Sequence, residues 1–447
     1  MTWREWVALA MLALAAAPAA QAMTLSEAYA LALQHDPAVA ESLGQYKAER
    51  EPGDQERSTL YPNVSVAAGA AYDRTDSTGV FGHSNDTYPS YSATLKLRQP
   101  LFRLDWFARG ARADARDASA DASLAQRKLD LLQQVAQRYF DVLTAQDGLA
   151  QTQAEARAVR ESFDATRKRY EVELAPGTDL KEAQARNDLA GASMLAARRT
   201  LEAALDALDE STGNGRAALP RLPAELRFPP LLPADAESWI ASGREHSPKL
   251  LLAQQQLAIA RADLTSRKSE ATPTVDLVGS YGRDDTSRYV FGQKVDDGRV
   301  GLELNIPLYA GGYNASRVRE AQGRLEQAQS ALARTQADLE RDIRARLRDV
   351  QLSMAQIDAY EKQLGSAQVA QQATANGYEA GTRTISDVLD AKSRVVQAQR
   401  DLNQSRYSVL LNLLLLKQAV GVLSEKDFAE IDRLLAQGTA ASTEQSP

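Results

Sequence analysis

The sequence predicts an internally duplicated fold in which each repeat combines two β-strands with a long antiparallel α-helical hairpin. Three observations lead to this fold class. Short motifs recur at a nearly constant offset, as when Tyr170 and Asp179 reappear 208 residues later as Tyr378 and Asp387. Four segments alternate apolar and polar residues, as strands do, and very long alanine-rich stretches carry apolar residues at helical spacing.

The recurring motifs divide the chain into two large repeats. We expect the first repeat at residues 23–212 and the second at residues 236–423. The linker between them, 213–235, contains five prolines, which break helices. The C-terminal segment, 424–447, is rich in Ala, Ser, Thr and Gln from Gly438 onward, and we expect its end to be disordered.

Residues 1–22 have the pattern of a secretory signal peptide. One basic residue, Arg4, precedes an apolar stretch from Val7 to Ala17, and Ala20-Gln21-Ala22 resembles a cleavage site. No later segment reaches the ~18 uninterrupted apolar residues of a membrane-spanning helix. The exported chain has no cysteine, so we expect neither disulfides nor an acylated N-terminal cysteine.

Charge and composition exclude several classes of function. The chain has 52 basic and 59 acidic residues, and a net charge of −7 is the wrong sign for a nucleic-acid-binding protein. The three His residues are far apart and lack the spacing of a metal site. Because no nucleophile-base pair or phosphate-binding loop is found, we predict no enzymatic activity and no cofactor.

Four segments are predicted to be strands, at about 63–74 and 90–99 in the first repeat and about 273–283 and 298–307 in the second. In each segment one face is apolar and the other is small, polar or charged. Each is close to the ~9 to 11 residues with which a tilted strand crosses the hydrocarbon core. We expect long polar loops, around Asp76–Pro89 and Asp284–Asp297, to join the strands of each pair.

The strands alone leave two architectures open. A soluble antiparallel sheet with one solvated face has the same alternation as a membrane barrel. In lipid, however, four strands would expose two unpaired edges, and a closed spanning barrel needs at least about eight strands. If these strands cross a membrane, several copies of the chain must therefore share one barrel.

Each repeat also contains a predicted antiparallel helical hairpin, at 105–212 and 310–421. The long helix of such a hairpin needs a partner along its whole length, because ~65 helical residues span about 100 Å. Apolar residues supply the contact surface: Val135, Val142 and Leu149 repeat every seven positions, and a series from Leu332 to Leu364 follows steps of three, four and seven.

The turns between the hairpin helices have two interpretations. In the first turn, Thr178 or Asp179 is placed to cap the return helix, and Thr384 with Asp387 resembles a capping box in the second. Alternatively, Asp387 and Asp390 lie one turn apart on one helix face, and oligomer symmetry would multiply them into a ring of negative charge.

Several motifs of the chain are shared with one known family. They are the opening Thr24-Leu-Ser-Glu-Ala-Tyr-Ala-Leu-Ala-Leu, Tyr-Pro-Asn-Val at a strand start, Gln-Pro-Leu-Phe at a strand end, and Tyr378-Glu-Ala-Gly-Thr-Arg-Thr-Ile-Ser-Asp-Val-Leu-Asp-Ala391. With the signal peptide and the duplication, they resemble the TolC family of outer-membrane exit ducts, over nearly the whole mature chain to about Leu435. The absent cysteine separates the chain from the lipid-anchored branch of that family.

The resemblance implies a homotrimer in which four strands per copy make one 12-stranded barrel, continued by a helical tunnel across the periplasm. It further implies that Asp387 and Asp390 form the acidic ring at the periplasmic entrance. Arg383 and Tyr378 would contact the turn of Thr178 and Asp179 and latch the gate.

The hairpin tips, at Glu173 and Gly381, would be the docking points of a periplasmic adaptor. Family members commonly have Val-Gly-Leu at the first tip, where this chain has Val172-Glu173-Leu174.

The leading hypothesis is a passive outer-membrane exit duct of a tripartite efflux pump or a type I secretion system in a Gram-negative bacterium. Its expected partners are outer-membrane lipid, a periplasmic adaptor (membrane fusion) protein and an inner-membrane RND or ABC transporter. The alternative is a soluble periplasmic coiled-coil scaffold or adaptor protein that uses its sheets for protein contacts.

Overall fold

The computed structural model describes residues 22–79, 82–214, 216–220, 228, 230–286 and 293–443. The predicted signal peptide therefore lies outside the described residues, apart from Ala22. The described chain divides into two compact units. Unit 1 consists of the chain up to Leu43, Ala125–Ser247 and the chain from Ala337, and unit 2 consists of Gly44–Leu124 and Pro248–Gln336.

Both repeats contain the same succession of two short helices, two strands, a long helix and a return helix. The first repeat has α1 (Leu25–His35), α2 (Pro37–Ser58), β1 (Asn63–Gly79), β2 (Gly82–Phe102), α3 (Trp106–Glu171) and α4 (Gly177–Thr212). The second has α5 (Ala236–His246), α6 (Pro248–Ser269), β3 (Thr274–Thr286), β4 (Gln293–Asn305), α7 (Tyr313–Glu379) and α8 (Ile385–Val420). A further helix, α9 (Glu425–Thr443), follows.

The strands, all in unit 2, form one antiparallel sheet in the order β1-β2-β3-β4. The register places apolar residues opposite each other across every pair, for example Val64 opposite Leu97 and Val275 opposite Leu304. Because side chains alternate between the two faces of a strand, these residues share one face of the sheet. The predicted alternation is thus confirmed.

The hairpins are longer than the sequence pattern predicts. β1 and β2 remain paired as far as Gly79 and Gly82, and β3 and β4 as far as Thr286 and Gln293. The expectation of long polar loops around 76–89 and 284–297 is therefore wrong for the described residues of these segments, while residues 80–81 and 287–292 lie outside the described part of the chain. The reason is that polar cross-strand pairs also stabilise a ladder, as where Lys294 Nζ lies 3.1 Å from Asp285 Oδ2.

Asp276 of β3 connects the two repeats within the sheet. Its side chain is only 3% exposed, and it accepts hydrogen bonds from Arg98 Nη2 at 2.7 Å and from Arg103 Nη2 at 3.2 Å. A buried carboxylate is tolerated when it is paired and hydrogen-bonded. The two arginines of the first repeat thus stabilise the β2–β3 junction.

The predicted apolar positions of the long helices are buried in unit 1. Val135, Val142, Ile343 and Val350 are fully buried, whereas Leu149 is half-buried. The first two belong to a core that also contains Tyr139, whose hydroxyl donates a hydrogen bond to the carbonyl of Met23 at 3.0 Å. The heptad-like spacing is therefore confirmed as the packing surface of these helices.

The C-terminal helix is fixed to the N-terminal helix. Asp432 of α9 accepts hydrogen bonds from the amides of Leu25 at 2.8 Å and Ser26 at 3.0 Å, two of the unsatisfied donors at the start of α1. The rings of Tyr29 and Phe428 pack edge to face, with centroids 5.7 Å apart. These contacts hold the two ends of the described chain together.

The helix α9 continues to Thr443, past Gly438, where the sequence predicts disorder. The physical reason is that helix formation is cooperative, so a helix anchored through Phe428, Ile431 and Leu435 extends into alanine-rich sequence at little cost. Residues 444–447 lie outside the described part of the chain. The described residues of the linker 213–235 form neither helix nor strand, consistent with its prolines.

Candidate functional site

The candidate site is formed by the two turns at the ends of the helical hairpins, all in unit 1. The turn between α3 and α4 and the turn between α7 and α8 have the same backbone hydrogen bonds at an offset of 208 residues. Glu173 N donates to Tyr170 O at 3.0 Å, and Gly381 N donates to Tyr378 O at 3.0 Å. The two hairpin tips are thus structural copies of each other.

The first tip places a charged residue in a conformation that favours glycine. Glu173 has φ of 60°, and its counterpart Gly381 has φ of 75°. Left-handed backbone costs a residue with a Cβ atom about 1 kcal/mol. Glu173 thus lies at a position where the second tip has glycine. On either side of it, the apolar Val172 and Leu174 are 62% and 77% exposed.

The capping predictions have different outcomes at the two tips. At the start of α8, Thr384 and Asp387 form the predicted capping box: Asp387 N donates to Thr384 Oγ1 at 3.2 Å, and Thr384 N donates to Asp387 Oδ2 at 2.9 Å. At the start of α4, the prediction that Thr178 or Asp179 caps the helix is wrong. That helix begins at Gly177 after Pro176, so both residues already lie in its first turn.

The hydrogen bond that Asp387 accepts from the backbone of Thr384, together with the bond from the Thr384 hydroxyl, holds the pKa of Asp387 below its usual value. Asp387 is half-buried, and its carboxylate stays charged at any physiological pH. The capping interpretation and the charge interpretation of Asp387 are therefore compatible, since the carboxylate that caps the helix is itself the negative charge.

Asp390, the second predicted member of the acidic ring, forms an ion pair within its own chain. Arg186 of α4 donates from Nη1 to Asp390 Oδ1 at 2.6 Å and from Nη2 to Ser386 Oγ at 2.6 Å. Ser386 Oγ in turn donates to Glu182 Oε1 at 2.9 Å. The bond to Asp390 raises the pKa of Arg186. This cluster joins the first hairpin to the second.

Tyr378 also connects the two hairpins, through a residue that sequence reasoning did not single out. Its hydroxyl accepts a hydrogen bond from Arg169 of α3, and the Arg169 guanidinium lies 5.6 Å from the ring centroid. Such a cation–π contact adds to the hydrogen bond. The sequence carries no local signal for this pair, because the two residues are 209 positions apart.

The predicted gate latch is only partly assembled in one chain. Asp179 and Thr384 line the same cleft of about 130 Å³, together with Arg186 and Glu182. Arg383 donates from its backbone to Gly377 O at 3.2 Å. Among the described residues of the single chain, no hydrogen bond joins Arg383 or Tyr378 to Thr178 or Asp179. The latch therefore stays a prediction.

Arg186 was missed by the sequence analysis, although a signal for it exists. Asp179, Glu182 and Arg186 are spaced so that they share one face of α4. The described residues include no group of His, Cys, Asp and Glu that could hold a metal ion. None of the described helices is long and apolar enough to cross a membrane.

Comparisons with known proteins identify the family. A family model described as outer membrane efflux protein matches residues 28–214 and 239–422. The chain is 30% identical to the outer membrane protein TolC of Vibrio cholerae, over 92% of this chain and 93% of that protein. It is 29% identical to the alkaline protease secretion protein AprF of Pseudomonas aeruginosa, over 91% and 86% of the two chains.

The fold is also that of a solved structure, the outer membrane protein VceC of Vibrio cholerae. The two structures superpose with a TM-score of 0.76 at 18% identity, covering 89% of this chain and 96% of VceC. This likeness confirms the predicted fold class. The two segments that the family model matches coincide with the two repeats, and the chain therefore belongs to the outer membrane efflux protein family.

Proposed function

We propose that three copies of this chain form a passive exit duct, in which four strands per copy close one 12-stranded barrel and the helical hairpins continue it as a tunnel. The protein is an outer-membrane duct for efflux or type I secretion, located in the outer membrane of a Gram-negative bacterium with its helices in the periplasm. Its assembly as a trimer and its binding to an adaptor and a transporter are what we propose.

The observation that carries the trimer is the sheet with two open edges. Among the described strands, β1 and β4 each pair on one side only, with β2 and β3 respectively. An unpaired strand edge leaves backbone donors and acceptors without partners, which hydrocarbon does not tolerate. Pairing β4 of one copy with β1 of the next satisfies both edges and closes the barrel.

The exposure of the sheet supports contact with lipid. Val66 of β1 and Leu302 of β4 lie on the apolar face and are 71% and 69% exposed. The register of all three strand pairs keeps such residues on one face, while Ser65, Lys96 and Arg299 lie on the other. Outer-membrane barrels have an apolar outer face and a polar lumen, as this arrangement requires.

Energy for transport comes from partners in this proposal, because a passive duct supplies none. We assign the exposed tip residues Val172 and Leu174 to the docking of a periplasmic adaptor. The adaptor would in turn bind an inner-membrane RND or ABC transporter. The name of the relative AprF refers to protease secretion. This favours a secretion transporter as one possible inner-membrane partner.

In the closed entrance, the latch of Arg383 and Tyr378 with Thr178 and Asp179 would form between neighbouring copies. Opening would then separate these contacts. The ring of Asp387 would remain at the narrow end and favour the passage of cations. A soluble scaffold, the alternative function, finds no support among the relatives.

The experiment compares two adjacent positions of β1 in the full-length protein. Val66→Lys places a charge on the apolar face, which costs a lipid-facing strand about 2–4 kcal/mol near the bilayer midplane. Ala67→Lys, the matched control, places the same charge on the opposite face. We expect Val66→Lys to lower the amount of trimer in the outer membrane and Ala67→Lys to preserve it.

Three further measurements test the same proposal. The unmodified protein should sediment with outer membranes, have the mass of three chains in detergent by light scattering, and form pores in planar bilayers. A water-soluble monomer that leaves with the periplasmic extract would contradict the proposal and favour the scaffold.

A further inference from the structure

The two return helices are repeats of each other in length, boundaries and charge pattern. α4 and α8 both have 36 residues, and their starts and ends differ by the same 208 positions. Asp179, Glu182 and Arg186 of α4 correspond to Asp387, Asp390 and Arg394 of α8. Each arginine lies one turn beyond the second acidic residue of its own helix.

The structure shows what one of these arginines does. Arg186 binds Glu182 of its own helix at 3.2 Å and reaches across to Asp390 and Ser386 of α8, each at 2.6 Å. The contact runs from the first repeat to the second. Its partners on α8 are the residues that correspond to Glu182 and Thr178 on α4.

The other arginine has no such contact within the chain. Arg394 is exposed on α8, and the described residues provide no hydrogen bond or ion pair for it. Glu182 and Thr178, the counterparts of the groups that Arg186 binds, are exposed as well. Glu182 retains 55% side-chain exposure while it binds Arg186, so part of its carboxylate is open to a second donor.

In a closed ring, first and second repeats alternate, so each second repeat is followed by the first repeat of the next copy. We propose that Arg394 binds Glu182 and Thr178 of the neighbouring copy, as Arg186 binds Asp390 and Ser386 of its own. This inference rests on the proposed trimer. Each copy would contribute two arginines and two acidic residues to a continuous belt of alternating charge around the entrance.

The belt assigns different roles to the two acidic residues of each tip. Glu182 and Asp390 are neutralised by arginines and hold neighbouring hairpins together. Asp387 lies one turn away, outside the belt, and supplies the net negative charge of the entrance. Multiple partners make each ion pair of such a network more effective than an isolated surface pair.

Chemical cross-linking between copies tests the belt. The chain has no cysteine, so each introduced thiol is unique. A tagged Arg394→Cys variant is co-expressed with an untagged Glu182→Cys variant, and the membranes are treated with a short bis-maleimide. A bridging reagent is needed because a disulfide requires Cα atoms within about 7 Å of each other. The Cα atoms of two residues whose long side chains form an Arg–Glu pair lie farther apart than that.

The expected result is a two-chain product that contains both variants. The matched control replaces tagged Arg394→Cys by tagged Lys392→Cys, a nearby exposed cation on another face of α8, and this control should lose the product. Absence of the product for Arg394→Cys in protein that has the mass of a trimer overturns the belt and leaves the proposed function intact. Protein that forms no trimer overturns both.

A second measurement does not depend on cross-linking. In detergent, Arg394→Gln should lower the temperature at which the trimer dissociates, whereas Arg394→Lys should retain most of the stability because it keeps the charge. Lys392→Gln changes the net charge equally and should have little effect. Equal dissociation temperatures for Arg394→Gln and Lys392→Gln would also overturn the proposal.

Discussion

Arg169 and Tyr378 form a contact between the two hairpins. The residues at the equivalent positions of the duplication do not form the same contact. The residue equivalent to Arg169 is Gly377, so Tyr170, the repeat equivalent of Tyr378, does not have the same donor. The duplication is therefore broken at this point. The equivalent tyrosines of the two tips, Tyr170 and Tyr378, therefore differ in their contacts.

Loss of this contact is expected to ease opening. Tyr378→Phe removes the acceptor for Arg169 and leaves the ring, at an expected cost of about 1 kcal/mol to the closed state, or roughly a fivefold change in the ratio of open to closed channels. Single-channel conductance in planar bilayers should rise, and rise further with Arg383→Ser. Tyr170→Phe is the matched control; equal conductance for both tyrosine variants would rule out a latch at Tyr378.

Asp387 carries both a structural and an electrostatic role. Its depressed pKa means that the capping contribution is fully present above the usual Asp value of about 3.9 and is lost as pH falls through the lower value of the folded protein. The negative charge of Asp387 at the entrance should be lost over the same range of pH. Cation preference is thus expected to persist to a lower pH than an ordinary exposed aspartate would allow.

The pH dependence of selectivity checks this assignment. Thr384→Ala removes the hydroxyl that donates to Asp387, so the pKa of Asp387 should rise and cation preference should vanish at higher pH. The reversal potential in a salt gradient, measured across acidic pH, reports the change. Asp387→Asn should weaken the preference throughout, and Asp390→Asn should do so less, because Arg186 already pairs with Asp390. Unchanged selectivity in Asp387→Asn would disprove the acidic ring.

At the scale of elements, the contact of α9 with α1 fixes the ends of unit 1. Asp432 satisfies two backbone amides at the start of α1, and Tyr29 packs on Phe428 beside it. The same helix α1 begins with its own capping box of Thr24 and Glu27. Two independent sets of acceptors therefore stabilise one helix start.

Removal of Asp432 should destabilise the fold. Asp432→Ala leaves two amides without their acceptor and is expected to cost about 1–3 kcal/mol, seen as a lower thermal unfolding midpoint by circular dichroism. The control is Glu430→Ala, which removes an exposed carboxylate of the same helix at the limit of contact with Lys417, 4.0 Å away. If Glu430→Ala lowers the midpoint as much as Asp432→Ala does, the anchoring role is wrong.

Both return helices are followed by a glycine at the equivalent position of the repeat. Gly213 caps the C-terminus of α4 with φ of 64°, and Gly421 caps that of α8 with φ of 90°. A Cβ atom on Gly421 would lie 2.5 Å from the carbonyl oxygen of His246. Both the left-handed backbone and this close approach require glycine at that position.

At the scale of the whole molecule, duplication supplies a chain that is incomplete by itself. The sheet of its described strands has two open edges, and of its two equivalent arginines Arg186 is paired and Arg394 is exposed. The proposed ring of three copies would account for both features. A single experiment on trimer formation therefore bears on the barrel and on the charge belt together.

The sequence by itself determined those features that depend on periodicity and on near neighbours. The alternation that puts Val64 and Leu97 on one face, the spacing that buries Val135 and Val142, and the capping box of Thr384 and Asp387 could all be predicted. Each follows from the geometry of one strand, one helix or one turn, and local geometry repeats with a fixed period.

Only the tertiary structure decided which distant side chains meet. The pairs Arg186–Asp390, Arg169–Tyr378 and Asp432 with Leu25 join residues more than 200 positions apart. Polar cross-strand pairs likewise extended the hairpins beyond the apolar segments, and packing of α9 carried a helix into sequence that predicts disorder. The physical reason is that these contacts depend on how helices and strands pack in space, and no local period of the sequence encodes that packing.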